Sequence, residues 1–186
     1  MARGRRGGTG SLLGNLLGTL VGLVLLALLA AYALDLHGDL KAEQADVAVR
    51  GAVLDAQAAK VAALRPALER EAREHAAGET GAEQAVAQSG AACADVRGRQ
   101  EADRCAKATL ALAEALAQQA QRDPALAADE GHAGVQAEVA QERATWERER
   151  GRYVESSLRH NARLERFPEA LVAAVAGLDP APPLDP

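Results

Sequence analysis

The chain has 186 residues, 48% hydrophobic but only 2% aromatic, and carries a formal charge of −5, a composition short of the aromatic and β-branched residues that strands prefer. With Arg3, Arg5 and Arg6 set aside from the 21 basic residues, 18 remain against 26 acidic ones, a formal charge of −8. That balance argues against a nucleic-acid partner, whose phosphates demand a basic face. Ala, Glu, Arg, Gln and Leu dominate instead, so the expected fold is all-α, with a core of small side chains that leaves no large apolar pocket for a substrate.

Residues 1–11 form a short basic N-terminus, and residues 12–34 are uncharged and strongly apolar. A helix of that length is about 34 Å long, enough to cross a hydrocarbon core of about 30 Å. Arg3, Arg5 and Arg6 precede the run while Asp35, His37 and Asp39 follow it. The positive-inside bias then predicts a single transmembrane helix in the cytoplasmic membrane, its N-terminus inside and its C-terminal domain extracytoplasmic. The competing expectation is an exported soluble binding or chaperone-like protein, because Ala31-Tyr32-Ala33 also reads as a signal-peptide cleavage site after Ala33. Gly14, Gly18 and Gly22 recur every fourth residue along one side of the run, a spacing that lets a second membrane helix approach and makes a homo-oligomer an expectation.

From Leu40 onward, Val47, Leu54, Val61 and Leu68 recur at seven-residue intervals and give one apolar, coiled-coil-like helix face. Arg65-Pro66 is expected to bend or break this helix, since proline lacks an amide donor and restricts the residue before it. A second helix then runs from Leu68, weakened at Gly78 and Gly81, to Val96, and Gly98 stops it. A third spans about 101–121, and Asp123-Pro124 reads as an N-cap followed by a first-turn proline. A fourth runs from about His132 to Arg166. On it Trp146, Tyr153, His160 and Phe167 recur every seven residues, so one core-facing stripe is expected to hold all four. Phe167-Pro168 ends that helix, residues 171–175 make a short apolar turn or helix, and Gly177 closes it.

The predicted domain is therefore an elongated up-and-down bundle of four main helices over 35–178, followed by a proline-rich tail over 179–186 that is expected not to fold. The competing architecture is one continuous rod of the kind stalk proteins form, and Pro66, Gly98 and Pro124 count against it.

Cys93 and Cys105 each lie six positions from Arg99, so a chain that folds back near Gly98 brings the two sulfurs together. A disulfide suits an oxidising compartment; two small buried thiols are the alternative. Neither catalytic nor metal-ligating residues are recognisable. The sequence holds no HExxH, CxxCH, GxSxG, phosphate-binding glycine loop or pair of Glu-x-x-His motifs, and Asp129-x-x-His132 reads as a solvated helix start. No cofactor and no enzymatic activity are expected.

The ordered series from 47 to 178 resembles the LemA family. It is carried by Leu64-Arg65-Pro66-Ala67-Leu68, Ala72 and His75-Ala76, then Ala113-Glu114 and Pro124-x-Leu126, and finally Arg152-Tyr153, Asn161, Leu164, Phe167-Pro168, Leu171-Val172-Ala173 and Gly177. Val154, His160, Ala67 and Leu178 depart from that family's pattern of Asn, Tyr, Asn and Phe. The resemblance implies a membrane helix joined to an all-helical bundle and supplies no catalytic residues. It also implies a short N-terminus outside the cell, whereas the charge pattern here places it inside. Pro66, Asn161 and Pro168 read as structural positions, Asn161 as a polar group that bonds a neighbouring helix. The expected role is a scaffold or interaction protein of the cell envelope, in contact with the lipid bilayer and with a membrane or envelope protein.

Overall fold

The computed structural model describes residues 9–75 and 80–184, with side-chain surroundings for 16–75 and 81–184, and every regular element among them is an α-helix. The helices are α1 (Thr9–Ala63), α2 (Arg65–His75), α3 (Thr80–Ala92), α4 (Arg99–Ala120), α5 (Pro124–Ala127), α6 (Glu130–Leu164) and α7 (Glu169–Ala176). Arg3, Arg5, Arg6 and Gly78 lie outside the described residues. The chain divides into two compact units, one of Met1–Ala42 with Arg163–Asp179 and one of Glu43–Ala162 with Pro180–Pro186.

The second unit is the helical bundle, and its side-chain contacts set its register. Along α6, His160 faces Glu43, Glu142 pairs with Gln57 and His132 pairs with Glu71, so α1 and then α2 run antiparallel to α6. On the other side, Arg150 donates to Asp103, Arg143 to the Leu110 carbonyl and Gln136 to the Ala113 carbonyl, which sets α4 antiparallel to α6 as well. The Cys93–Cys105 bond ties α3 back along α4. The topology is up (α1 with α2), down (α3), up (α4) and down (α6), with the loop helix α5 joining the last two.

Two heptad stripes build the core. Val47, Leu54, Val61 and Leu68 are all buried, as are Val139, Trp146, Tyr153 and His160 on α6. Between them α4 inserts Ala106, Leu110, Leu112 and Leu116. Burying each of the leucines contributes about 1.5–3 kcal/mol. The small residues Ala58, Ala72, Ala82 and Ala113 fill the close approaches and bury little area each.

One expectation about elements is refined and two are corrected. The expected break at Arg65-Pro66 is present, α1 ending at Ala63 and α2 starting at Arg65, but it is not a reversal: Pro66 lies in the first turn of α2, where its missing amide would have had no partner, and Leu68 N–H still reaches the Leu64 carbonyl at 3.2 Å. The direction of the chain is reversed in α3, which runs back along α4. Phe167 does not continue the core stripe and is 85% exposed, because α6 ends at Leu164 and the residue before a proline is steered away from helical geometry. His132 is buried rather than solvated. Its backbone N–H caps onto Asp129 at 2.8 Å, and that bond is the first cause holding the Asp129 carboxyl below its usual range.

The tail is the third correction. Ala181 is buried in the bundle core, and Leu184 packs against it. Asn161 is the anchor: its side-chain carbonyl accepts from Ala181 N–H at 2.8 Å and its amide donates to Ala181 C=O at 3.0 Å. A proline-rich segment cannot satisfy its own backbone, and one asparagine satisfies it here in both directions. Asn161→Ala should therefore release the tail at a cost of about 1–3 kcal/mol, the usual penalty for buried groups left unpaired. In hydrogen exchange the Ala181 amide should then behave as an unprotected one, while amides of α4 keep their protection.

In the first unit, Leu36 and Leu40 of α1 bury Ala173 of α7, with Leu164, Val172 and Leu178 around them. Gly177 ends α7 in the left-handed region at φ 64°, which a residue with a Cβ adopts at a cost, and Leu178 N–H returns to the Ala173 carbonyl at 3.1 Å.

Candidate functional site

The densest polar arrangement in the bundle surrounds Arg99, the first residue of α4. Its guanidinium donates to both carboxylate oxygens of Asp55, each at 3.0 Å, and to the Tyr153 hydroxyl at 3.1 Å. It also lies over the Tyr153 ring, 4.6 Å from the centroid. Tyr153 is fully buried and its hydroxyl donates in turn to the Pro182 carbonyl at 2.8 Å. One chain of bonds thus links α1, α4, α6 and the tail. Burial pulls the Arg99 pKa down, but the bonds to Asp55 and Tyr153 outweigh it, so the guanidinium is held charged above its ordinary range.

Gly51 makes this possible. A Cβ at that position would run into the Arg99 guanidinium, so the glycine one turn before Asp55 is the slot that admits it. Beside the node, Ala58, Ala59, Ala62, Val96 and Gly98 line a surface groove of about 320 Å³. Asp55, Arg97, Arg99, Ala102 and Cys105 complete its lining; Arg99 is committed to Asp55 and Tyr153, Arg97 pairs with Asp95 at 2.7 Å, and Cys105 is bonded to Cys93. The arrangement is therefore a clasp that fixes four chain segments, with no nucleophile next to a base.

Other titratable groups in the core are paired or isolated. His132 pairs with Glu71, and Asp103, 2% exposed, receives Arg150 at 3.1 Å and Lys107 at 3.3 Å. His160 is buried on the α6 stripe, with no hydrogen bond to either ring nitrogen among the described residues and Glu43 3.9 Å from Nδ1. Trp146 is buried beneath the Arg150 guanidinium, its indole N–H without an acceptor among the described residues. Among the described residues, no group of three or more His, Cys, Asp or Glu stands close enough to hold a metal ion.

The residues singled out from sequence fall at several places. Cys93 and Cys105 are bonded at the α3–α4 hairpin. Tyr153 and Asn161 belong to the clasp and its tail, and Asn161 bonds the tail rather than a neighbouring helix. Pro66 and Pro168 sit at the starts of α2 and α7. Gly18 and Gly22 have open space where a Cβ would stand, and Gly14 lies outside the residues whose surroundings are described. Asp55, Arg99 and Gly51 went unrecognised in the sequence; the available signal was a glycine inside a strong helix-forming run, which marks a close approach when it is tolerated there.

An apolar N-terminal helix followed by an antiparallel helical bundle defines an all-α protein. The model of the LemA family matches residues 52–185, and the chain belongs to that family. No curated protein and no solved structure matches it.

Proposed function

We propose that this protein is a single-pass, membrane-anchored helical scaffold of the cell envelope, without catalytic activity, whose bundle presents an interaction surface on the outer side of the cytoplasmic membrane. The carrying observation is α1. Its apolar part contains a stretch of 18 residues with no burial at all, and Leu16, Leu20, Leu25, Leu29 and Leu34 are each more than half exposed. A folded protein in water does not leave such a surface uncovered, whereas a bilayer covers it. The partners proposed are the bilayer, a membrane or envelope protein that docks on the acidic bundle, and a second copy packed along Gly18 and Gly22.

The test is carbonate extraction combined with a C-terminal alkaline phosphatase fusion, an enzyme active only outside the cytoplasm. Full-length protein that stays in the pellet, with an active fusion, supports the reading. Soluble material beginning at Leu34 would replace it with the exported, cleaved alternative, and an inactive fusion would invert the topology. Crosslinking in intact membranes then identifies what the bundle touches, since tethering raises effective concentration and lets faint contacts matter.

A further inference from the structure

We propose that α7, with Phe167 just ahead of it, is a second contact with the bilayer: an interfacial helix lying among the lipid headgroups where α1 leaves the membrane. This rests on the reading of α1 as a membrane span. Within this unit α7 is held to α1 through Ala173, buried against Leu36 and Leu40. Next to that contact, Ala30, Ala33, Leu34 and His37 of α1 and Leu171 and Val175 of α7 line one apolar groove of about 590 Å³.

The position of the groove along α1 decides its surroundings. Ala30 to Leu34 is the last turn of the uncharged run, Asp35 is the first charge after it, and His37 lies one turn further on. Seven residues of helix rise about 10 Å, and a headgroup zone is about 5–7 Å deep on each side of the hydrocarbon. The groove therefore straddles the level at which acyl chains give way to headgroups. Interfacial helices bury an apolar face at this level, about 5–10 Å into the boundary.

The outer face of α7 has the chemistry for that. Leu171 is 61% exposed, Val175 84% and Phe167 85%. Glu169 is the one charged residue in Glu169–Ala176, and it stands 3.9 Å from Arg163. Lipid is the occupant that the geometry selects, because the groove is continuous with α1 residues that lipid must already wet if α1 spans the bilayer.

The test uses nitroxide labels on Val175→Cys, Val24→Cys and Leu158→Cys, each in the full chain reconstituted into phosphatidylcholine/phosphatidylglycerol vesicles. Cys93 and Cys105 are bonded to each other, so each introduced thiol is the site labelled. Position 24 lies in the proposed span and position 158 is exposed on the bundle, which makes them lipid and water references. The expected result is a ratio of oxygen to nickel-chelate accessibility at 175 severalfold above that at 158 and approaching that at 24. If 175 matches 158 while 24 reads as lipid, the span stands and the interfacial helix is wrong. Shielding of 175 from both reagents means that protein covers the face, which also overturns the proposal. Nickel access at 24 would overturn the span itself, and the inference with it.

Discussion

Tyr153→Ala should be the most damaging single substitution in the bundle, lowering stability by about 3–5 kcal/mol, the usual range for removing a buried aromatic side chain. The ring is fully buried at the centre of the α6 stripe, and its hydroxyl is the bond through which Arg99 and the tail are connected. Tyr153→Phe separates the two contributions: it keeps the ring and strands the Pro182 carbonyl, so about 1–3 kcal/mol is expected. For a protein of this size each kcal/mol moves the midpoint by about 2–4 °C, so Tyr153→Ala should lower the melting temperature of detergent-solubilised full-length protein by roughly 10 °C. Phe167→Ala, which removes a ring that is 85% exposed, should leave the midpoint unchanged. Equal losses at the two aromatics would mean that the α6 stripe does not end where the helix does.

Reduction of the Cys93–Cys105 bond should cost nearly as much. The bond closes a loop with a sequence separation of 12, for which the chain-entropy model gives about 3 kcal/mol. A bundle whose core is rich in alanine has little apolar area with which to offset such a loss. The double variant Cys93→Ser/Cys105→Ser should therefore melt well below the parent, and a reductant should lower the parent to the same point. A thiol-alkylating mass tag should shift exported protein only after reduction. Labelling without reductant would remove the bond and, with it, a support for extracytoplasmic placement, because cytosolic thiols are kept reduced.

Much of the architecture was legible in the residues because it is periodic. Helix formation, the two seven-residue stripes, the Asp123-Pro124 start and the Gly177 stop are local signals, and each appears in the structure within a few residues of its expected place. Pro66 marked the break between α1 and α2, but a proline is also tolerated in a first turn, and only the pairing of Glu71 with His132 on α6 shows that the chain keeps its direction across that break. Phe167 misled because a heptad count carries on through a helix end that the chain itself does not respect.

The clasp was invisible for a different reason. Asp55, Arg99, Tyr153 and Pro182 lie far apart in the chain, and nothing in their local sequence says that they meet. By itself the sequence determined the class of the molecule: an uncharged run long enough to cross a bilayer, helix-forming composition, and apolar residues at helical spacing, all properties of neighbouring residues. Only the tertiary structure decided where the chain reverses, that the proline-rich tail docks instead of hanging free, and that a glycine in α1 makes room for an arginine from α4. Those outcomes depend on which surfaces meet across the bundle, and long-range pairing is settled by shape and hydrogen-bond satisfaction rather than by any local pattern.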